Sequence, residues 1–177
     1  MKRLFTTLLL SVLAATGLFA QQVVVTNDIT TNATWTADNE YILDGLIFVD
    51  SLVTLTIEPG TVIKGRTNAN ISNSDGASAL IIRRGATIDA QGTASEPIIF
   101  TSELDDVSSA TDLTETDRGL WGGLIILGEA TTNETSTNIQ IEGIPLTDPA
   151  AYGGSDDADN SGTLRYVSIR HGGFSIS

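Results

Sequence analysis

The chain has no cysteine, one histidine and one methionine among its 177 residues. Without cysteine there can be no disulfide, no thiolate metal site and no cysteine nucleophile. With His171 as the single imidazole, a multi-histidine metal site is excluded too. Basic residues are scarce: 9 Lys and Arg stand against 22 Asp and Glu, a net charge of −13. Nucleic acid and anionic membranes require a basic face, so neither is expected as a partner. Helical periodicity is also missing. No window after residue 20 keeps apolar spacing near 3.6 between caps, and no later apolar run approaches the roughly 20 residues of a membrane span.

The N-terminus reads as a signal peptide over residues 1–20. Lys2 and Arg3 precede an apolar stretch from Leu4 to Ala15, and Gly17-Leu-Phe-Ala20 supplies small residues before Gln21. The expected location is therefore extracellular or the outer cell surface. Removing this segment leaves 7 basic and 22 acidic residues, a charge of −15. An exported fold without disulfides needs a large core, and stacking of repeats supplies one.

Leu55-Thr-Ile57-Glu-Pro-Gly60-Thr-Val-Ile63 reappears further along as Leu80-Ile-Ile82-Arg-Arg-Gly85-Ala-Thr-Ile88. Alternating apolar residues around a glycine corner read as a β-solenoid, and the offset from Leu55 to Leu80 reads as one coil of it. Short runs such as Leu46 to Val49, Ile98 to Phe100, Leu124 to Leu127, Ile139 to Ile141 and Leu164 to Ile169 have strand length. The expected layout is a capping segment at 21–38, then coils over 39–177 with polar inserts at 67–78, 103–118, 129–138 and 146–162. The inserts are expected to gather on one face. The expected core is Leu43, Leu55, Ile57, Ile63, Leu80, Ile82, Ile88, Ile98, Phe100, Leu124, Ile126, Ile141, Val167 and Ile169.

Several stretches carry a family resemblance: Trp35 to Asn39, Tyr41 to Val49, Leu55 to Gly65, Arg118-Gly-Leu-Trp-Gly-Gly-Leu-Ile-Ile-Leu-Gly128 and Leu164 to Gly173. They resemble the N-terminal part of secreted right-handed parallel β-helix proteins of Bacteroidetes-type bacteria. The resemblance implies an all-β, right-handed parallel β-helix. It also implies a longer parent with a C-terminal secretion-sorting domain, and it implies little chemistry. Phe174-Ser-Ile-Ser177 ends the sequence without a polar cap. The expectation is a truncated β-helix, or one that covers its last coil by self-association.

Candidate sites are few. Asp157-Ala-Asp159-Asn-Ser161-Gly162 places oxygen ligands at alternate positions before a glycine, as at the start of a Ca²⁺ loop. Asp157, Asp159 and Ser161 are the candidate ligands and Ca²⁺ the candidate cofactor; no other cofactor is indicated. Asp105 and Asp106 are weak catalytic candidates for two-carboxylate glycoside chemistry. Trp35 and Trp121 suit core packing better than sugar stacking. Thr34-Trp-Thr36 and Thr54-Leu-Thr56 match the rows of an ice-binding plane. At the offset of the echo, however, Ala79 and Ile81 follow the second pair and break the register. The expected function is a non-catalytic exported scaffold that contacts an extracellular glycan or a cell-surface protein. The alternative is a β-helix polysaccharide lyase or hydrolase.

Overall fold

The computed structural model describes residues 20–73, 75–134, 136, 139–144 and 150–174. The signal segment before Ala20 and Asp148 of the last insert lie outside the described residues. Among the described residues every regular element is a strand, and the strands wind into a right-handed parallel β-helix with three sheets around one core.

The first rung is β1 (Gln21–Val25), an isolated bridge from Ile29 to Val49, and β2 (Ala33–Trp35). The second is β3 (Asn39–Leu43), β4 (Leu46–Val49) and β5 (Thr54–Ile57). The third is β6 (Val62–Gly65), β7 (Ala79–Ile82) and β8 (Thr87–Gln91). The fourth is β9 (Ile98–Ser102), β10 (Gly123–Ile126) and, after a long excursion, β13 (Gly162–Arg165). The excursion holds β11 (Ile139–Gln140) and β12 (Ala151–Tyr152), and β14 (Val167–Ile169) opens the next rung. Sheet A runs β1-β3-β6-β9-β14, sheet B runs β4-β7-β10, and sheet C runs β2-β5-β8-β13. The segment 21–38, expected to cap the first coil, covers it by pairing as a rung of its own.

The echo does not measure a coil. Leu55 pairs with Ile88 on sheet C, whereas Leu80 pairs with Ile47 on sheet B. Without an insert, one rung carries the chain from Ala33 to Leu55 and from Glu40 to Val62. The 67–78 insert makes the rung half as long again, so that Leu46 advances to Ala79 and Thr54 to Thr87. The echo compares one corner of the prism with a different corner. It arises because all three sheets use the same apolar alternation and corner glycine.

Inside, side chains stack rung upon rung at the roughly 4.8 Å strand spacing. Tyr41, Ile63 and Phe100 form one column on sheet A, and Trp35, Ile57 and Ala90 one on sheet C. Leu43, Leu55, Ile57, Ile63, Leu80, Ile82, Ile88, Ile98 and Phe100 are all buried, as expected. Five expected core residues differ. Leu124 and Val167 are half-buried, and Ile126 and Ile169 are 40% and 51% exposed. They sit on the outermost described strands of sheets B and A, where no further rung among the described residues covers them. Ile141 belongs to a second core.

That second core explains why β4 and β7 are buried on both faces. Leu46, Phe48, Ala79 and Ile81 point outward from sheet B and are covered by Leu127, Ile141, Ile144, Ala150 and Tyr152 of the excursion. The stretches expected as two polar inserts, 129–138 and 146–162, belong to one excursion between β10 and β13. Within it β11 and β12 pair antiparallel, so Ile139-Gln140 is a hairpin strand and not a coil strand. The 67–78 and 103–118 inserts both leave at the corner from sheet A to sheet B. The excursion leaves at the next corner, so the inserts do not all share one face.

The 67–78 insert is pinned from both neighbouring rungs. Asp44, only 2% exposed, accepts from Ser72 N at 2.7 Å, Ser72 Oγ at 2.6 Å and Arg66 Nη1 at 2.6 Å. Glu103 Oε1 accepts from Thr67 N at 2.8 Å, Thr67 Oγ1 at 3.0 Å and Asn70 Nδ2 at 2.7 Å. Burial works to raise the Asp44 pKa, but the Ser72 hydrogen bonds and the Arg66 charge together outweigh it and hold the group below 3.8. A depressed folded pKa stabilises above the unfolded value and loses that contribution as pH falls through the folded one. Asp44→Asn is therefore expected to cost about 2 kcal/mol near neutral pH, a charged hydrogen-bond network being weakened. The gap from the parent should shrink below about pH 3.8. Urea unfolding of both proteins at pH 7 and pH 3 measures this.

Candidate functional site

Carboxylates between the strands hold backbone N–H groups, some on β4 and some in their own loop. Asp28 Oδ1 accepts from Phe48 N at 3.0 Å, and Asp75 Oδ2 from Leu46 N at 2.8 Å. Asp106 accepts from Ser108 Oγ and N, and Asp117 from Thr114 N and Oγ1. These bonds lower both pKa values, through the Ser108 hydroxyl at Asp106 and the Thr114 N–H at Asp117. Such bonds satisfy donors that no ladder pairs, in the loops and on the edge strand β4.

The sequence candidates fall into this pattern. Asp157 Oδ1 accepts from Thr131 N at 3.0 Å, and that bond lowers its pKa. Asp159 Oδ2 accepts from Glu129 N at 3.0 Å and from Ser161 Oγ at 3.3 Å. Asp157 and Asp159 thereby fasten the two ends of the excursion together. Among the described residues no three His, Cys, Asp or Glu side chains are grouped to hold a metal ion.

Asp105 and Asp106 have different surroundings. Asp105 is 4% exposed, accepts from Thr101 Oγ1 at 2.5 Å and lies 3.7 Å from Arg170 Nη1. Asp106 is in solvent with Ser108. Two-carboxylate chemistry needs both groups facing one bond, and these two share no partner. Asp156 and Asp157 lie in the excursion that leaves from the next corner. His171, at φ +55°, follows β14 and bonds the Asp117 carbonyl through Nδ1. Both tryptophans are buried: Trp35 stacks on Tyr41 with centroids 4.6 Å apart, and Trp121 Nε1 donates to Arg170 O at 2.8 Å.

A polar face on sheet C was not anticipated. Its inward residues, such as Leu55 and Ile88, leave the alternate positions pointing outward. Register places Thr34, Thr56, Asp89 and Thr163 in one outward column, with Thr54 beside Thr87 in the next. Aligning Thr54-Leu-Thr56 against Thr87-Ile-Asp89 would have revealed it. The Thr rows thus do stack, contrary to the register inferred from the echo. Asp89 interrupts the all-hydroxyl plane that ice binding requires. Thr54, Thr87, Asp89, Gln91, Asn160 and Thr163 line a groove of about 380 Å³. Asn160 comes from the returning excursion. A second cleft of about 560 Å³ lies between β10 and the hairpin, with Ile126, Leu127, Ile139, Ile141, Glu142 and Tyr152 on its walls.

Three parallel sheets wound around one core, with loops of very different length at the corners, define a right-handed parallel β-helix protein. The pectate-lyase-like beta helix domain family matches residues 27–177, and the chain belongs to that family. Neither the curated proteins nor the solved structures include a match. No helix among the described residues is long and apolar enough to cross a membrane.

Proposed function

We propose that this chain is an exported, non-catalytic β-helix scaffold that contacts an extracellular glycan through the outer face of sheet C. One observation carries the reading: the groove over β5, β8 and β13 is lined by three threonine hydroxyls, two amides and one carboxylate. Hydroxyls and amides both donate and accept, which matches the hydroxyl-rich surface of a sugar. The threonines are stiff at χ1 and sit on paired strands, so little side-chain entropy is lost on binding. Asp106, Asp117, Asp157 and Asp159 are engaged with backbone donors.

A second reading, polysaccharide lyase or hydrolase activity, is favoured by the family's pectate-lyase-like description. Electrophoresis through gels containing dissolved polysaccharides separates contact from indifference. Retarded migration in at least one glycan gel is expected, and Thr87→Val should weaken it several-fold by removing one hydroxyl partner. Unretarded migration in every gel would end the glycan reading.

A further inference from the structure

We infer that the sheet C groove takes an uncharged polysaccharide running along the stack axis and discriminates against polyuronates. This rests on the glycan reading above and names the class of glycan.

The column Thr34–Thr56–Asp89–Thr163 crosses four strands, one residue per rung, and its Asp89 and Thr163 line the groove beside Thr54 and Thr87. Across the three strands of the groove the lining extends about 10 Å, room for about two sugar units. Threonine repeats across the strands, Thr54 beside Thr87, so a ligand lying along the stack meets hydroxyls on neighbouring rungs, whereas one lying along β8 would meet Thr87, Asp89 and Gln91 in turn. The returning excursion contributes Asn160 to the groove lining.

Charge decides the class. No Lys or Arg lines the groove. Its charged member is Asp89, whose Oδ1 accepts from Gln91 Nε2 at 2.7 Å. A half-buried carboxylate of this kind can accept from two adjacent sugar hydroxyls. Against a polyuronate it would meet a like charge, in a protein already carrying −13. The cation on the same sheet, Arg165, opposes Gln91 in the ladder, but its guanidinium lies over the Tyr166 ring, 5.5 Å from the centroid. A site built for polyuronate would carry a cation within the groove.

The test compares the intact chain in gels of neutral polysaccharides (a soluble β-glucan, a xyloglucan, a mannan) and of polygalacturonate, each with and without millimolar Ca²⁺. Retention by a neutral glycan and none by polygalacturonate in either condition is the expected result. Asp89→Asn should then weaken neutral retention about ten-fold, the loss of roughly one charge-assisted hydrogen bond. Its melting temperature should match the parent's, since Asp89 supports no buried group. Retention by polygalacturonate alone would overturn this inference and leave the glycan reading standing. Neutral retention untouched by both Asp89→Asn and Thr87→Val would also overturn it, by moving the contact off this face. No retention in any gel would overturn both.

Discussion

Gly162→Ala should lower the melting temperature by roughly 6–12 °C, given about 3 kcal/mol at 2–4 °C per kcal/mol for a chain of this size. Gly162 opens β13 at φ +124°, opposite Ile88. A Cβ built there would lie 1.9 Å from the Ile88 carbonyl oxygen and 2.8 Å from its nitrogen. Both are ladder atoms of β8 and cannot yield as a flexible side chain would. Relief would require β13 to lift off sheet C at the point where the excursion rejoins the coil. Gly76→Ala is the comparison, because it shares a positive φ of +75° and its added Cβ meets nothing within 4 Å. It carries only the left-handed backbone cost of about 1–2 kcal/mol. Calorimetric scans of both variants should separate clash from strain. Equal shifts would contradict the pairing of Gly162 with Ile88.

Trp121→Ala is expected to cost about 3–5 kcal/mol, the range for removing a large buried aromatic. Trp121 is 1% exposed and joins three parts of the chain. Its Nε1 donates to Arg170 O at 2.8 Å, and its carbonyl accepts from Phe174 N at 2.9 Å. Its ring lies against Gly65, where an added Cβ would sit 2.7 Å from Trp121 Cβ and Cε3. The end of the third rung's β6, the approach to β10 and the segment after β14 therefore share one side chain. Trp121→Phe keeps most of the volume and strands the Arg170 carbonyl, for about 1–2 kcal/mol. Urea midpoints should order the proteins parent, Phe, Ala. Because the indole is buried, Trp121→Phe should leave glycan retention unchanged.

Much of the fold was legible because a solenoid writes its core into alternation. Leu55, Ile57, Ile63, Leu80, Ile82 and Ile88 could be recognised as inward positions without knowing which sheet each occupied. Sheet membership was not legible. Every corner of a rung uses similar chemistry, and an insert stretches the third rung well beyond the second. For the same reason the column Thr34–Thr56–Asp89–Thr163 stayed hidden: each step along it spans a longer stretch of chain than the one before. Only 129–138 and 146–162 of the excursion are expected from the sequence as polar inserts, with Ile139 to Ile141 as a coil strand between them. Leu127, Ile141, Ile144 and Tyr152 instead cover sheet B. The role of the carboxylates at Asp44, Glu103, Asp117 and Asp159 depends on which backbone N–H lies within reach, and that is set by tertiary folding.

Contact without turnover distinguishes a scaffold from a lyase or hydrolase on the same fold. Incubating the intact chain with each retained polysaccharide, and measuring new reducing ends and unsaturated products, decides between them. The expected result is retention with no product above the protein-free control. Product that accumulates in proportion to protein and falls with Asp105→Asn or Asp106→Asn would contradict the scaffold reading and establish the lyase or hydrolase one.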